Sequence, residues 1–235
     1  MLPPGTVLAG RSALWSWGVR LASPTEPVDV IVPPGSRARR RAEIRVRRDT
    51  LLPGEVLSLP LGLTTSPERT AFDVARSAPA MTAVPMLDQL VRATRLRQEE
   101  VLALAARHRH TRWLSRVEPA LALVDAGAES VRESQLRLVL VEAGLPVPVA
   151  QHVILDADGR FVARTDLAWP ELRVACEYDG AHHDERGQVI RDRARLNAIR
   201  RAGWTVVVVD AAQFARRHEV VAMVRAVLAQ ARPNR

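Results

Sequence analysis

The run WTVVVVD, Trp204 to Asp210, sets four consecutive valines between an aromatic residue and an acid. A stretch so short, apolar and β-branched reads as a fully buried strand. Such a strand needs sheet neighbours and covering layers, and the residues before it supply both. A helix is predicted from about Ser130 to Ala143, closed by Gly144 with Pro146 behind it. VAQHVILDADGRFVARTDLAW reads as two strands joined at DADG, where Asp158-Gly159 is a hairpin signal. ELRVACEYDG is a third strand, reached through Pro170. A basic helix follows from about Gln188 to Ala202, and an amphipathic helix from about Ala212 to Ala231 comes after the valine strand. The order is helix, three strands, helix, strand, helix.

The first half is less regular. LAGRSALWSWGV is a short helix candidate ending near Gly18, and VDVIVPP is a strand stopped by prolines. Seven arginines lie between Arg37 and Arg48 in RARRRAEIRVRR. Its end alternates, with Ile44 and Val46 on one face and Arg45 and Arg47 on the other. This describes either a solvated edge strand protected by charge or a face that contacts nucleic acid. TTSPERTAFDVARSAP supplies a helix start, with Thr65 or Ser66 as N-cap and Pro67 in the first turn. Helix continues through MLDQLVRATRLRQEEVLALAARHRH, where His108 and His110 sit on a polar helix end. The small and acidic VDAGAES, Val124 to Ser130, reads as the domain boundary, giving domains over 1–125 and 129–235.

Every basic side chain apart from histidine is arginine, and the net charge is +8. A GC-rich genome accounts for that usage, yet guanidinium groups pair bidentately with phosphate whatever their origin. A polyanionic partner, DNA or RNA, is therefore favoured. Cys176 is the one cysteine, which excludes an intramolecular disulfide and a cysteine-rich metal site. Its place in RVACEY suits a small buried hydrophobe. No signal peptide is visible, and TVVVVDAA, the longest apolar stretch, is far too short to span a membrane. A soluble, cytoplasmic protein is expected.

VACEYDGAHHDE, Val174 to Glu185, packs four carboxylates and two histidines into twelve residues. Carboxylates at the end of an apolar strand need arginine or a metal ion to meet them. Glu177 and Asp179 share a strand face. A register that sets Asp166 opposite Glu177 would bring their Cβ atoms to about 5 Å. A divalent cation would turn that repulsion into chelation. Glu133 borders the helix face that packs on the sheet, and Glu129 shares that side one turn earlier. His182 and His183 emerge after Gly180, where a histidine beside a metal-bound water could move protons.

These pieces, with ESQLR, GLPVPVAQ, RTDLAWPELRVACEYDGAHH, RDRARLNAIRRAGW and VVVVD in order, resemble a known family. It comprises the restriction-endonuclease-like, PD-(D/E)xK domains of unknown function related to very short patch repair endonuclease. The resemblance implies an α/β fold with an α-β-β-β-α-β-α core, a mixed four-stranded sheet flanked by helices, preceded by a smaller α+β domain. It also implies catalytic roles for Glu133, Asp166, Glu177, Asp179 and His183, and metal ligation by Asp166, Glu177 and the Tyr178 carbonyl. Asp179 stands where the wider superfamily has lysine, and His183 is the candidate for the water-activating group. The first half resembles, less specifically, the region accompanying such domains in actinobacterial proteins related to abortive-infection antitoxins, through LAGRSALWSWGV, the arginine-rich strand and GLTTSPERTAFDVAR. Those relatives often begin with a winged-helix segment that is not visible here.

The expectation is a Mg2+- or Mn2+-dependent DNA endonuclease, in repair or defence. Arg191, Arg193, Arg195 and Arg200 of the basic helix would meet backbone phosphates, and Asp192 would be an ion-pair partner. The alternative is a catalytically silent DNA-binding regulator or antitoxin, with a toxin or other protein as partner. An HNH nuclease is excluded because no histidine follows His183 and Asn197 at the required helical spacing.

Overall fold

The structure is a computed structural model that describes residues 2–21, 25–180 and 186–231, by backbone alone over 186–192. The chain divides into two compact units, Met1–Ala126 and Gly127–Arg235. The first is the longer, which corrects the expectation of a smaller domain in front. Both are mixed α/β.

The first unit contains β1 (Val7–Leu8), α1 (Gly10–Ser16), β2 (Val28–Val32), β3 (Ile44–Arg48), β4 (Val56–Leu59) and β5 (Gly62–Thr65). These are followed by α2 (Pro67–Ser77), α3 (Ala80–Thr94), α4 (Gln98–Arg107), a 3-10 turn (Leu114–Arg116) and α5 (Val117–Ala122). The sheet order is β3-β2-β1-β5-β4, with parallel β2/β3 and β1/β5 pairs and antiparallel β1/β2 and β4/β5 pairs. The arginine-rich strand β3 is thus an edge, as one of its two readings required. Ser66 caps α2, its Oγ accepting from the Arg69 N–H at 3.3 Å. Leu14, Phe72, Leu87 and Leu90 form the centre of a core that joins α1 to α2 and α3. Burying each such side chain stabilises the fold by about 1.5–3 kcal/mol.

The second unit contains α6 (Val131–Glu142), β6 (Val149–Leu155), β7 (Phe161–Trp169), β8 (Val174–Asp179), α7 (Arg186–Arg201), β9 (Thr205–Asp210), α8 (Ala211–Ala215) and α9 (Arg217–Gln230). The sheet order is β6-β7-β8-β9, antiparallel up to β8 and parallel between β8 and β9. The expected closing helix is broken in two. Asp210 and Gln213 form a capping box that starts α8, and the chain leaves helical geometry at Arg216. The valine strand β9 is at the edge of the sheet, so Val207 and Val209 are buried while Val206 and Val208 are only partly so. This corrects its reading as a fully buried strand: the sheet face that carries Val206 and Val208 is less completely covered than the one that carries Val207 and Val209. Cys176 is buried, and burial pushes its thiol up, with Asp166 and Glu177 adding to the effect. Among the described residues no helix is long and apolar enough to cross a membrane.

Candidate nucleic-acid interface

Three of the expected acids do converge at the second sheet. The β7/β8 register pairs Leu167 with Cys176, and one step further sets Asp166 beside Glu177. The Tyr178 backbone N–H donates to Asp166 Oδ2 at 2.9 Å. Glu177, 6% exposed, meets Arg195 of α7, whose Nη1 and Nη2 donate to its two carboxylate oxygens at 2.7 and 2.8 Å. This fork-to-fork pairing neutralises the acid that was expected to hold a metal. Glu133 Oε2 accepts from Gln151 Nε2 at 2.7 Å and from the Glu129 N–H at 2.9 Å. Glu129 itself pairs with Arg164 at 2.8 Å, so Glu133 is the inward member of the two. Burial pushes the Asp166 carboxyl up to about 6; the charges of Glu133 and Glu177 add to this, while the Tyr178 N–H and Arg195 oppose it.

The other expected site residues are described only in part. Asp179 is exposed at the end of β8, level with Asp210 of β9. His183 and the side chains of Arg191 and Asp192 lie outside the described residues. Arg193 and Arg200 are exposed on α7, whereas Arg195 is engaged by Glu177. Among the described residues no group of three or more His, Cys, Asp or Glu is arranged to hold a metal ion.

Positive charge is concentrated elsewhere. Eighteen arginines against twelve acids leave the first unit at +6, and sixteen against fourteen leave the second at +2. Within the first unit the arginine-rich stretch has two parts with different fates. On β3, Arg45 pairs with Asp29 at 2.9 Å and Arg47 pairs with Asp73. The basic side of that strand is therefore partly consumed inside the fold. In the loop before it, Arg37, Arg39, Arg40 and Arg41 are all exposed, and no acid pairs with them among the described residues. The loop is nevertheless held. Arg48 donates to the carbonyls of Ser36 and Ala38, Ser36 Oγ accepts from the Ala38 N–H at 3.1 Å, and Arg41 bridges to Ile44. Four free guanidinium groups on a braced edge are suited to phosphate oxygens.

A family model for the AbiEi antitoxin C-terminal domain matches residues 6–123. The chain belongs to the AbiEi antitoxin C-terminal domain family. The AbiEi match lies within the first unit and takes in the arginine loop and β3. The uncharacterized proteins MT2308 and Rv2248 of Mycobacterium tuberculosis, strains CDC 1551 and H37Rv, are each 35% identical over 146 residues. That covers 62% of this chain and 54% of theirs, so the chain spans about half the length of the curated relatives it matches. The crystal structure of the RV2827C protein from Mycobacterium tuberculosis aligns over 62% of this chain and 54% of its own, at 20% identity. Its TM-score of 0.38 is too low to carry a fold assignment.

Membership of the AbiEi family corrects the expectation of a metal-dependent endonuclease hydrolysing phosphodiester bonds. It supports the alternative, an antitoxin-like regulator. The physical counterpart is at Glu177, where a guanidinium occupies the position that the nuclease reading assigned to a cation.

The AbiEi unit also holds a feature that the sequence reading missed. Arg69 of α2, 0% exposed, donates to Asp73 (3.1 Å), Glu55 (2.7 Å) and Asp49 (2.6 Å). Arg76 pairs with Asp73 at 2.8 Å and Asp49 at 3.2 Å, and His108 Nε2 lies 2.7 Å from Glu55 Oε1. His108 is therefore more than a polar helix end. Burial pushes the Asp73 carboxyl up, but Arg47, Arg69 and Arg76 outweigh it and hold the group below the usual range. The spacing Arg69–Asp73–Arg76, i to i+4 and then i+3, was the available signal. This network ties α2 to β3 and to the end of α4.

Proposed function

We propose that this protein is an antitoxin-type DNA-binding regulator that holds DNA through the arginine loop of its AbiEi domain, with a toxin as its protein partner. One observation carries the DNA reading: Arg37, Arg39, Arg40 and Arg41 project unpaired from a braced loop in the unit that has most of the net positive charge. A surface of this kind releases condensed counterions when it meets the phosphate backbone, and that release drives binding without reference to base sequence. The family description supports the antitoxin role and the toxin partner. We further infer a restriction-endonuclease-like core for the second unit, used as a scaffold. Its three antiparallel strands, parallel fourth strand and flanking helices support this, and Arg195 on Glu177 supports the non-catalytic use.

Fluorescence anisotropy on duplex DNA across a salt series tests the DNA reading. Replacing Arg37, Arg39, Arg40 and Arg41 together by Gln should weaken binding to all duplexes alike. It should also flatten the slope of log K against log salt by about three to four, at about 0.9 for each phosphate no longer neutralised. Wild-type affinity and slope in that variant would refute the assignment.

A further inference from the structure

A second exposed basic segment in the first unit differs from the arginine loop in carrying an aromatic ring. From Arg107 to Arg116 the chain reads RHRHTRWLSR, with four arginines, two histidines, one tryptophan and no acid. Arg107 and His108 turn inward to Glu55. Arg109, Arg112 and Arg116 are exposed and have no acidic partner among the described residues. Trp113 between them is 42% exposed, and no hydrogen bond engages its indole N–H among the described residues. Leu114, the next residue, packs against the core of the unit, so the segment is anchored while its largest apolar side chain stays at the surface.

The backbone points the same way. Trp113 has φ 62° and ψ 24°, a left-handed conformation that a bulky residue adopts at a free-energy cost. The turn explains the conformation, since the Arg116 N–H donates to the Trp113 carbonyl at 3.1 Å and the Leu114 N–H to the Thr111 carbonyl at 3.3 Å. Glycine or asparagine would take that position at less cost. Tryptophan there holds a large ring at the surface. The Arg112 guanidinium carbon lies 4.3 Å from the ring centroid and that of Arg116 lies 5.2 Å away. These cation–π contacts bias the ring's position and hold positive charge against it, where an incoming base would exchange with or stack beside a guanidinium group.

An exposed ring set among guanidinium groups has the chemistry of a platform for an unpaired base: the ring stacks on any base, and the cations hold the flanking phosphates. Paired bases in a duplex offer no free face to it. We propose that Trp113, with Arg109, Arg112 and Arg116, binds single-stranded DNA by stacking one unpaired base. The inference rests on the reading of this unit as a DNA-binding one, and extends it from duplex phosphates to exposed bases.

The test compares wild type, Trp113→Leu and Trp113→Phe by anisotropy at fixed salt on four labelled probes: a mixed-sequence single strand of DNA, the same strand made abasic, its RNA counterpart, and a duplex. Loss of one stacked base corresponds to a drop of about five- to 150-fold. Trp113→Leu should show such a loss on the DNA single strand, Trp113→Phe should retain most of the affinity, and the abasic strand and duplex should not distinguish the three. Wild-type tryptophan emission should be quenched by the intact strand and much less so in Trp113→Phe. Unchanged single-strand affinity in Trp113→Leu, or an equal loss on the abasic strand, overturns the proposal, and tighter binding of RNA overturns the assignment to DNA. Failure of the duplex reading is a separate result, seen when the duplex binds no variant while the single strand still discriminates between them.

Discussion

Replacing Asp166 by Asn should stabilise the second unit increasingly as pH rises from about 4, and in full above about pH 6. The folded-state carboxyl is pushed up to about 6 by burial, and by Glu133 and Glu177 beside it. In the unfolded chain an aspartate titrates near 3.9, a difference of about two pH units at about 1.4 kcal/mol each. A raised folded-state value means that the protonated acid favours the fold. That contribution is complete below about pH 4 and is lost as pH rises through about 6. The loss is at most about 3 kcal/mol, and partial solvent access reduces it to about 1–2 kcal/mol. Asparagine keeps an oxygen for the Tyr178 N–H that now donates to Asp166 Oδ2 at 2.9 Å, and it carries no charge. The variant should melt about 3–8 °C above wild type at about pH 8 and together with it at about pH 3.5. Differential scanning calorimetry on the full chain can resolve the transition of this unit if the two melt separately. A lower transition for Asn at pH 8 would refute the reasoning, because it would mean that the ionised carboxylate has a partner stronger than its neighbours' repulsion. Millimolar Mg2+ adds a control of opposite sign: a cation seated between Asp166 and Glu177 would raise the wild-type transition and not that of the variant.

Two ion pairs give further predictions. Arg195→Ala leaves Glu177 buried and unpaired; breaking a fully buried pair costs about 3–5 kcal/mol, and the partly exposed guanidinium should bring this to about 1–3 kcal/mol in urea denaturation. Adding Glu177→Gln should recover most of the loss, and a double variant no better than the single one would show that the pair is not what Arg195 stabilises. Arg69→Met removes the guanidinium shared by Asp49, Glu55 and Asp73 and should destabilise the first unit by about 3–5 kcal/mol, with a loss under about 1 kcal/mol contradicting the network.

Legibility differed between the two halves for physical reasons. In the second unit most elements have a local signature: Ser130 as N-cap, the Asp158-Gly159 turn, and Gly203 ending α7 at φ 82°. Strand alternation then brought Asp166 and Glu177 together. Nothing in the sequence said which guanidinium would reach Glu177, because Arg195 is 18 residues away and its choice depends on how α7 lies on the sheet. In the first unit β1 is only two residues long, and it exists because β2 and β5 pair on either side of it. A strand made by tertiary pairing has no period of its own to detect. The same holds for Arg47, whose place in an alternating basic strand looked like that of Arg45, although Asp73 of α2 draws it inward.

Arginine performs two opposed tasks in this chain, and the contrast between them bears on the proposed function. Where a carboxylate would otherwise be buried alone, as at Glu177 or Asp73, a planar fork of donors satisfies it and removes its capacity to bind a cation. Where the chain turns outward, at Arg37 to Arg41, the same group has no acid partner among the described residues and keeps its full charge for a partner. A metal-dependent enzyme needs the reverse distribution, with acids exposed to a cation and guanidinium groups gathered around the scissile phosphate. The regulator proposed above needs acids such as Glu177 and Asp73 met by guanidinium groups inside the fold and exposed arginines such as Arg37, Arg39, Arg40 and Arg41 outside it.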